Sequence, residues 1–484
     1  MKKFLVLFFL VAFAYCAKSQ DFLGYNYGNY QTAGGMIFNP ASIAGSRYKA
    51  NVNILSVNVG LTNNAYQIRK KSLFGNYDDW SEGHDFSKIN SSGSKDLNFN
   101  LDILGPSFMI DLGEKIGSFG FSTRLRFLLD EKNLDNNIFQ LFGNSDENFF
   151  GKRHTQNDLR LDAHGFVDMG LTYARTVWNT ENHVIKGGIT AKYILGGVGA
   201  SVKINNLEVE IDDELSEDMV KTLRGDLSVV YSEGIDDLIN GDGVLSSIGN
   251  GSNGSLGLDF GVEYEWYKDG KKVNPANSRW TKNVTPYTLK ASVSVTDIGR
   301  IKYSSSAYAG SYTINDLADY PVTDLDYDSD WSLSDYLSNM ESKGIISHKD
   351  NESSYKMSLP TVLRANVDYN AYKMLYVNAG MVLNLTSKNK YAAHMANYFY
   401  VTPRFEYKWL NIYSPVSVSS NGNAHWGFGI NAGAFFIGSG SVLSNLFSSN
   451  IKGVDVHFGF AVPITKKDKT SKNKGKDIFE IPEN

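Results

Sequence analysis

Residues 256–266 alternate without an exception. Leu256, Leu258, Phe260, Val262, Tyr264 and Trp266 point one way, and Gly257, Asp259, Gly261, Glu263 and Glu265 point the other. A strand has a side-chain period of two, so this segment offers one wholly apolar face and one face of glycine and acid. An apolar outer face over a polar inner face is the pattern of a β-barrel that spans a membrane.

The pattern recurs along the chain. Alternating segments lie at 97–112, 119–129, 167–173, 185–195, 287–295, 361–369 and 375–385, and at 454–464 near the end. The segments 398–409, 412–420 and 426–436 are weaker. Residues 51–71 also alternate, with a phase slip between Ile54 and Leu55 that marks a bulge or a break into two strands. Many of these runs match the ~9–11 residues of a tilted membrane strand. The count is thirteen or fourteen. A closed antiparallel barrel wants an even number, so the expectation is about fourteen, with the missing strand in 409–436. A large soluble sandwich or propeller also alternates, but many of its strands would be partly apolar on both faces, and no propeller repeat period is present.

Composition agrees with this reading. The mean hydropathy of −0.28 excludes a helical membrane protein. Beyond the N-terminus no apolar run approaches the ~20 residues of a spanning helix. Glycine is frequent (45) and proline scarce (10), as turns and close inner packing in a strand-rich chain require. A net charge of −5 argues against a general nucleic-acid partner. Long connections are expected at 73–96, 131–160, 212–254 and 303–356. The opposite connections are mostly short, as around Gly113 and Lys373.

Residues 1–19 read as a secretory signal: Lys2 and Lys3 precede an apolar stretch, and Ala17-Lys18-Ser19 forms a small-x-small cleavage site. The single cysteine, Cys16, follows Tyr15, whereas a lipoprotein signal wants a small residue there. Residues 20–47 are rich in Gly, Asn and Tyr and lack periodicity. Within them Asn39 followed by Pro40 and Ala41 is a helix-start signature, because Asn caps and Pro suits the first helical position. Residues 48–465 form the expected barrel. Residues 466–484 form a basic tail in which Lys466, Lys467, Lys469, Lys472, Lys474 and Lys476 cluster, a solvated segment unable to form a core.

Several motifs resemble one group. Asn39-Pro40-Ala41-Ser42 resembles the NPA motif of the N-terminal hatch in long-chain fatty-acid transporter (FadL-like) barrels. Ser358-Leu359-Pro360-Thr361 resembles a strand start of that superfamily, and Thr296-Asp297-Ile298-Gly299-Arg300-Ile301 is similar to segments of its Bacteroidota branch. The nearest resemblance is to DUF5723-type barrels, which are similar to the PorV/PorP barrels of the type IX secretion system. The resemblance implies a fourteen-strand, all-β, transmembrane antiparallel barrel with an N-terminal luminal hatch, located in the outer membrane of a Gram-negative bacterium. It also implies two functions: passive transport of a small hydrophobic compound gated by the hatch, with Asn39, Pro40 and Ala41 at the gate, or service as a scaffold subunit of an outer-membrane secretion or assembly complex.

Charged residues fall on the expected lumen faces: Arg124, Arg126, Lys186, Lys192 and Lys290, with Asp259, Glu263, Glu265 and Asp368. They read as mutual salt bridges filling a closed barrel or as a polar path or lock on the hatch. Asp324, Asp326, Asp328 and Asp330, with Asp335, have the spacing of a calcium loop, but Ser329 stands where that loop wants Gly. A plain acidic loop is the alternative, and no cofactor is otherwise expected. Gly249 to Gly254 lacks the Lys and the strand–helix context of a phosphate loop. There is no G-x-S-x-G elbow and no HExxH, so no enzyme is expected.

Overall fold

The computed structural model describes residues 22–464, apart from 26, 31, 75–83, 90–92, 144–149, 214–217, 236–246, 250–251, 253, 271–285, 307, 326–330, 388–390, 408 and 421–423. The expected signal segment and basic tail therefore lie outside the described residues.

Fourteen antiparallel strands form a closed ring. They are β1 (Ala50–Asn63), β2 (Lys95–Leu104, continued by Ser107–Asp111), β3 (Ser118–Leu134), β4 (Leu159–Asn179), β5 (His183–Asp213), β6 (Ser255–Trp266) and β7 (Leu289–Ser304). Then come β8 (Val362–Tyr372), β9 (Leu375–Asn384), β10 (Tyr398–Tyr407), β11 (Leu410–Tyr413 with Val416–Ser419), β12 (Ala424–Trp426 with Phe428–Ala432), β13 (Phe435–Ser439) and β14 (Gly453–Ile464). Each pairs with the next in sequence, and β14 pairs with β1 from Ala50↔Ile464 to Thr62↔Gly453. Closure leaves no edge strand, the condition for crossing hydrocarbon with strands. Among the described residues no helix is long and apolar enough to cross.

Every strand contributes exposed apolar side chains to the outside of this ring, for example Ile54 on β1, Leu171 on β4, Phe260 on β6, Val293 on β7, Phe399 on β10, Ile437 on β13 and Phe458 on β14. The opposite rows are buried and polar, including Asn51, Asp102, Arg124, Asp168, Lys192 and Glu263. Grease outside and charge inside identify a transmembrane barrel of the outer-membrane type.

The even count is restored where the sequence was ambiguous. Residues 426–436 do not make one strand. Gly433 takes φ +67°, which turns the chain between β12 and β13. The slip in 51–71 resolves as a bulge between Asn53 and Leu55, and Tyr66–Arg69 leaves the ring for a small separate sheet.

The connections 212–254 and 303–356 depart from their reading as loops. Asp218–Tyr231 pairs with the outer half of β5, Gly310–Leu317 pairs with it in turn, and Ile346–Asn351 extends the sheet. β5 changes phase where its register with β4 shifts between Gly165, opposite Val198, and Phe166, opposite Gly196. Below it Ile189 and Tyr193 face outward and are exposed. Above it Val198 shares the outward row of Phe127 and is buried against Tyr231, Tyr312, and Leu337 and Met340 of the helix Leu333–Ser342. Above the lipid, then, the outer face is covered by the chain's own hairpins.

Phe260 sits in the middle of the exposed row on β6. Phe260→Arg is expected to lower unfolding stability in phospholipid vesicles by about 2–4 kcal/mol. Unchanged stability in urea titrations would show that this row does not face lipid.

Candidate functional site in the barrel lumen

Two chain segments lie inside the ring. The first is residues 22–46. Among its described residues it holds no strand, only two short 3-10 turns, Ala33–Ile37 and Pro40–Ile43. Asn39 caps the second: its Oδ1 accepts from the Ala41 backbone N–H at 2.9 Å, and Pro40 holds the first helical position. Asn39, Pro40 and Ala41 are all buried. They press on the wall where it carries no side chain. A Cβ at Gly188 of β5 would stand 2.4 Å from the Pro40 carbonyl carbon, and one at Gly261 of β6 would stand 2.0 Å from Asn39 Oδ1. These two glycines leave the recess that the turn occupies.

Polar contacts tie this segment to the wall. Asn29 donates its backbone N–H and its side-chain amide to the two carboxylate oxygens of Glu406, at 2.8 and 2.7 Å. Arg47 donates to Asn29 at 2.9 Å, Ser294 to the Phe38 carbonyl at 2.6 Å, and the Ala33 N–H to Asn51 at 2.8 Å. Apolar contacts complete the fit: Tyr25 stacks on Phe436 at 3.6 Å and Tyr27 on Tyr400 at 5.3 Å.

The second segment, residues 391–395, crosses the outer half of the lumen, with Ala392, Ala393, His394 and Met395 all buried. The His394 N–H and Nδ1 both lie within 3.2 Å of Asp130 Oδ2, and Asn98 donates to the His394 carbonyl at 2.9 Å. Asp130, Asp162 and His394 converge closely enough to suggest a metal triad. Their counter-charges are already present: Lys132 contacts Asp130 at 2.9 Å and Arg160 pairs with Asp162. The group therefore works as an ion-paired clamp on the crossing segment.

The charges expected on lumen faces pair with one another along the wall. Lys186 contacts Glu263 and Glu265 at 2.8 and 2.5 Å, and Lys192 contacts Asp259 and Asp297 at 2.8 and 2.6 Å. Arg126 contacts Asp297 at 2.8 Å, and Arg124 pairs with Asp102 through two nitrogens. Lys290 lies 3.9 Å from Glu263 and donates to the Gly28 carbonyl at 3.3 Å, so one of these charges also touches the N-terminal segment. Asp368 receives a two-pronged bond from Arg404, at 2.9 and 2.7 Å. Paired this way, the charges escape the cost of isolated burial.

Sequence reasoning passed over Asp102, Asp297, Arg404, Glu406 and Asn29. Asp102 was detectable, since it sits between Leu101 and Ile103 on the inward phase. Asp297 was not. It takes φ +61° in a bulge of β7, and only that kink turns it inward beside Thr296.

The acidic run on the outer side does not assemble a calcium site from its described members. Asp324 accepts from Lys343 at 3.1 Å. Asp335 forms a capping box with Ser332, whose hydroxyl and backbone N–H hold its carboxyl below the usual carboxylate range. Asp326, Asp328 and Asp330 lie outside the described residues, as does most of the 249–254 glycine run.

A family model described as Family of unknown function (DUF5723) matches residues 40–440. No curated protein matches. Solved structures with a similar fold include the Ralstonia pickettii toluene transporter TbuX, at 10% identity over 92% of this chain and 100% of that one, with a TM-score of 0.39. The P. putida toluene transporter TodX is 8% identical over 91% and 95%, with a TM-score of 0.28. A Pseudomonas aeruginosa FadL homologue is 8% identical over 92% and 98%, with a TM-score of 0.22.

Asp368→Ala would leave Arg404 buried without its two-pronged partner. The expected loss is about 3–5 kcal/mol of unfolding stability in detergent. A loss below 1 kcal/mol would show that Arg404 finds compensation elsewhere.

Proposed function

The chain belongs to the DUF5723 family, and we propose that it is a passive outer-membrane channel for a small hydrophobic compound, with residues 22–46 as its gate. One observation carries this reading. The segment that fills the inner half of the lumen adds no strand to the wall. It is held by a few side-chain hydrogen bonds and by the fit of Asn39, Pro40 and Ala41 against two glycines. A filling of that kind can shift without breaking the ring, because the ring's hydrogen bonds are all between wall strands.

Deleting residues 22–46 is expected to raise the swelling rate of liposomes carrying the barrel several-fold. Gly188→Val, which forces the Pro40 backbone away from β5, is expected to do the same to a smaller degree. Permeability unchanged in both variants, with barrels that still resist unfolding in cold detergent, would overturn the gate.

A second reading rests on the outer structure. The sheet that Asp218–Tyr231 and Gly310–Leu317 build above the membrane, together with a lumen crossed at both ends, suits a scaffold subunit of an outer-membrane secretion or assembly complex. Gentle detergent extraction separates the two readings. A hydrophobic small molecule in the purified protein favours transport, and a stoichiometric protein partner favours scaffolding.

The reading involves no catalysis and no cofactor. Calcium removal by a chelator is expected to leave the unfolding midpoint in place. A drop that calcium restores, and that Asp326→Asn with Asp328→Asn abolishes, would give the acidic loop a metal.

A further inference from the structure

A short helix on the outer rim has its two sides reversed. Val442–Phe447 lies between β13 and β14, and none of its residues is buried. Its polar side chains face the wall. Ser444 Oγ accepts from the Trp426 backbone N–H at 2.5 Å, and Asn445 donates to the Gly453 carbonyl at 2.7 Å. Its apolar side chains face away, with Leu446 58% and Phe447 74% exposed. A helix packed on a water-facing surface does the opposite, keeping its apolar stripe against the protein and its polar groups in solvent.

The exposed side continues the surface that meets lipid. Phe447 stacks on Trp426 at 5.9 Å. Trp426 and Phe428 are both exposed on the outward row of β12. At ~3.3 Å per residue the Trp426 ring is attached only ~7 Å above Phe428. A tryptophan at the upper margin of an apolar belt takes the interfacial position, its body in the acyl region and its N–H toward the headgroups. The helix therefore extends the belt at headgroup level.

Cations stand at the same corner. Residues 63–72 and 439–453 contain Arg69, Lys70, Lys71 and Lys452 and no acid. Ile68 pairs with Ile451 and Arg69 with Asn450. That register sets Arg69 and Lys452 diagonally on one face, opposite the buried face of Ile68 and Ile451. Lys70 Nζ donates to the Leu446 carbonyl at 2.7 Å, at the helix C-terminus where a cation is favoured. Its backbone N–H donates to the Ser449 carbonyl at 3.0 Å, so the helix and the basic strand pair are joined. Arg69, Lys71 and Lys452 are exposed. Carboxylates close by are engaged elsewhere: Asp455 accepts from the Ser441 hydroxyl and the Gly440 N–H, both at 2.5 Å, and Asp85 lies 3.1 Å from His84.

An apolar shelf beside cations that no described carboxylate pairs is complementary to an anionic lipid. The outer leaflet of an outer membrane is built of acylated, phosphorylated glycolipid. We propose that Trp426, Leu446 and Phe447, with Arg69, Lys71 and Lys452, form a seat for one such lipid. Its acyl chains lie on the helix and the rings, and its headgroup phosphate lies among the cations. The seat is on the outside of the wall, so it holds whether the barrel transports or scaffolds.

Native mass spectrometry of the full-length barrel reads retained lipid directly. With diphosphoryl lipid A and zwitterionic phosphatidylethanolamine supplied equally, one lipid A is expected to be retained ~10-fold or more above phosphatidylethanolamine. Arg69→Gln with Lys71→Gln and Lys452→Gln is expected to bring lipid A down to the phosphatidylethanolamine level. Arg69→Lys, which keeps the charge, is expected to retain the preference. Leu446→Asn with Phe447→Asn is expected to lower lipid A retention several-fold while the barrel keeps its heat-resistant migration in dodecyl sulfate. Equal retention of the two lipids by the unaltered protein, or a preference that survives the triple substitution, would overturn the seat. Displacement of lipid A by millimolar inorganic phosphate would make it a free-anion site and overturn it as a lipid seat. A homodimer that Phe447→Asn dissolves would give the helix to a second copy of the chain and overturn it as well.

Discussion

Hydrocarbon offers backbone amides no partners, and the rest of the structure follows from that constraint. Each of the fourteen strands must find both neighbours, and β14 must return to β1 from Ala50↔Ile464 to Thr62↔Gly453. Once the ring closes, one side of every strand is committed to lipid and the other to an enclosed space too narrow to be left to bulk water. The inward rows are therefore polar, and the polar groups are turned on one another. Lys192 bridges Asp259 and Asp297, and Arg404 grips Asp368. Closure in the wall creates the electrostatic problem in the lumen, and the cross-strand ion pairs are its solution.

The two inserted segments meet that interior differently. The N-terminal one fits by shape, with its turn seated against Gly188 and Gly261, and by scattered hydrogen bonds such as those from Asn29 to Glu406 and from Ser294 to Phe38. The outer one is clamped by charge, through Asp130, Lys132, Asp162 and Arg160 around His394 and Ala392. Shape-based seating is lost when a single Cβ intrudes. A charge clamp responds to ionic conditions only weakly while it stays buried.

The wall was readable in the sequence because lipid imposes a strict period of two, and Leu256 to Trp266 obeys it throughout. Readability failed wherever that imposition ends. Val198 and Ile204 lie above the lipid, where a hairpin covers the outer face, so apolar residues continue but in a shifted phase. The partition of 424–439 into two strands turned on Gly433 alone. The NPA segment was legible as a capped turn, since Asn39 and Pro40 carry that signal locally, but nothing local says that Asn29 will reach Glu406, 377 residues away. The crossing at 391–395 carried no signal, because its own backbone carbonyls and N–H groups are bonded by side chains on distant strands. The acidic run offered calcium or a plain loop by spacing alone, and that spacing did not mark its last member, Asp335, as the residue that closes a capping box with Ser332.

The wall is also very uneven in height. β5 runs for 31 residues, a contour of roughly 100 Å at ~3.3 Å per residue, while β13 has only 5. The mouth of the barrel is thus cut obliquely, tall on the flank of β3, β4 and β5 and low on the side of β12 and β13. A molecule arriving across the membrane surface meets a parapet from one direction and a threshold from the other, so the protein has a front and a back despite its ring.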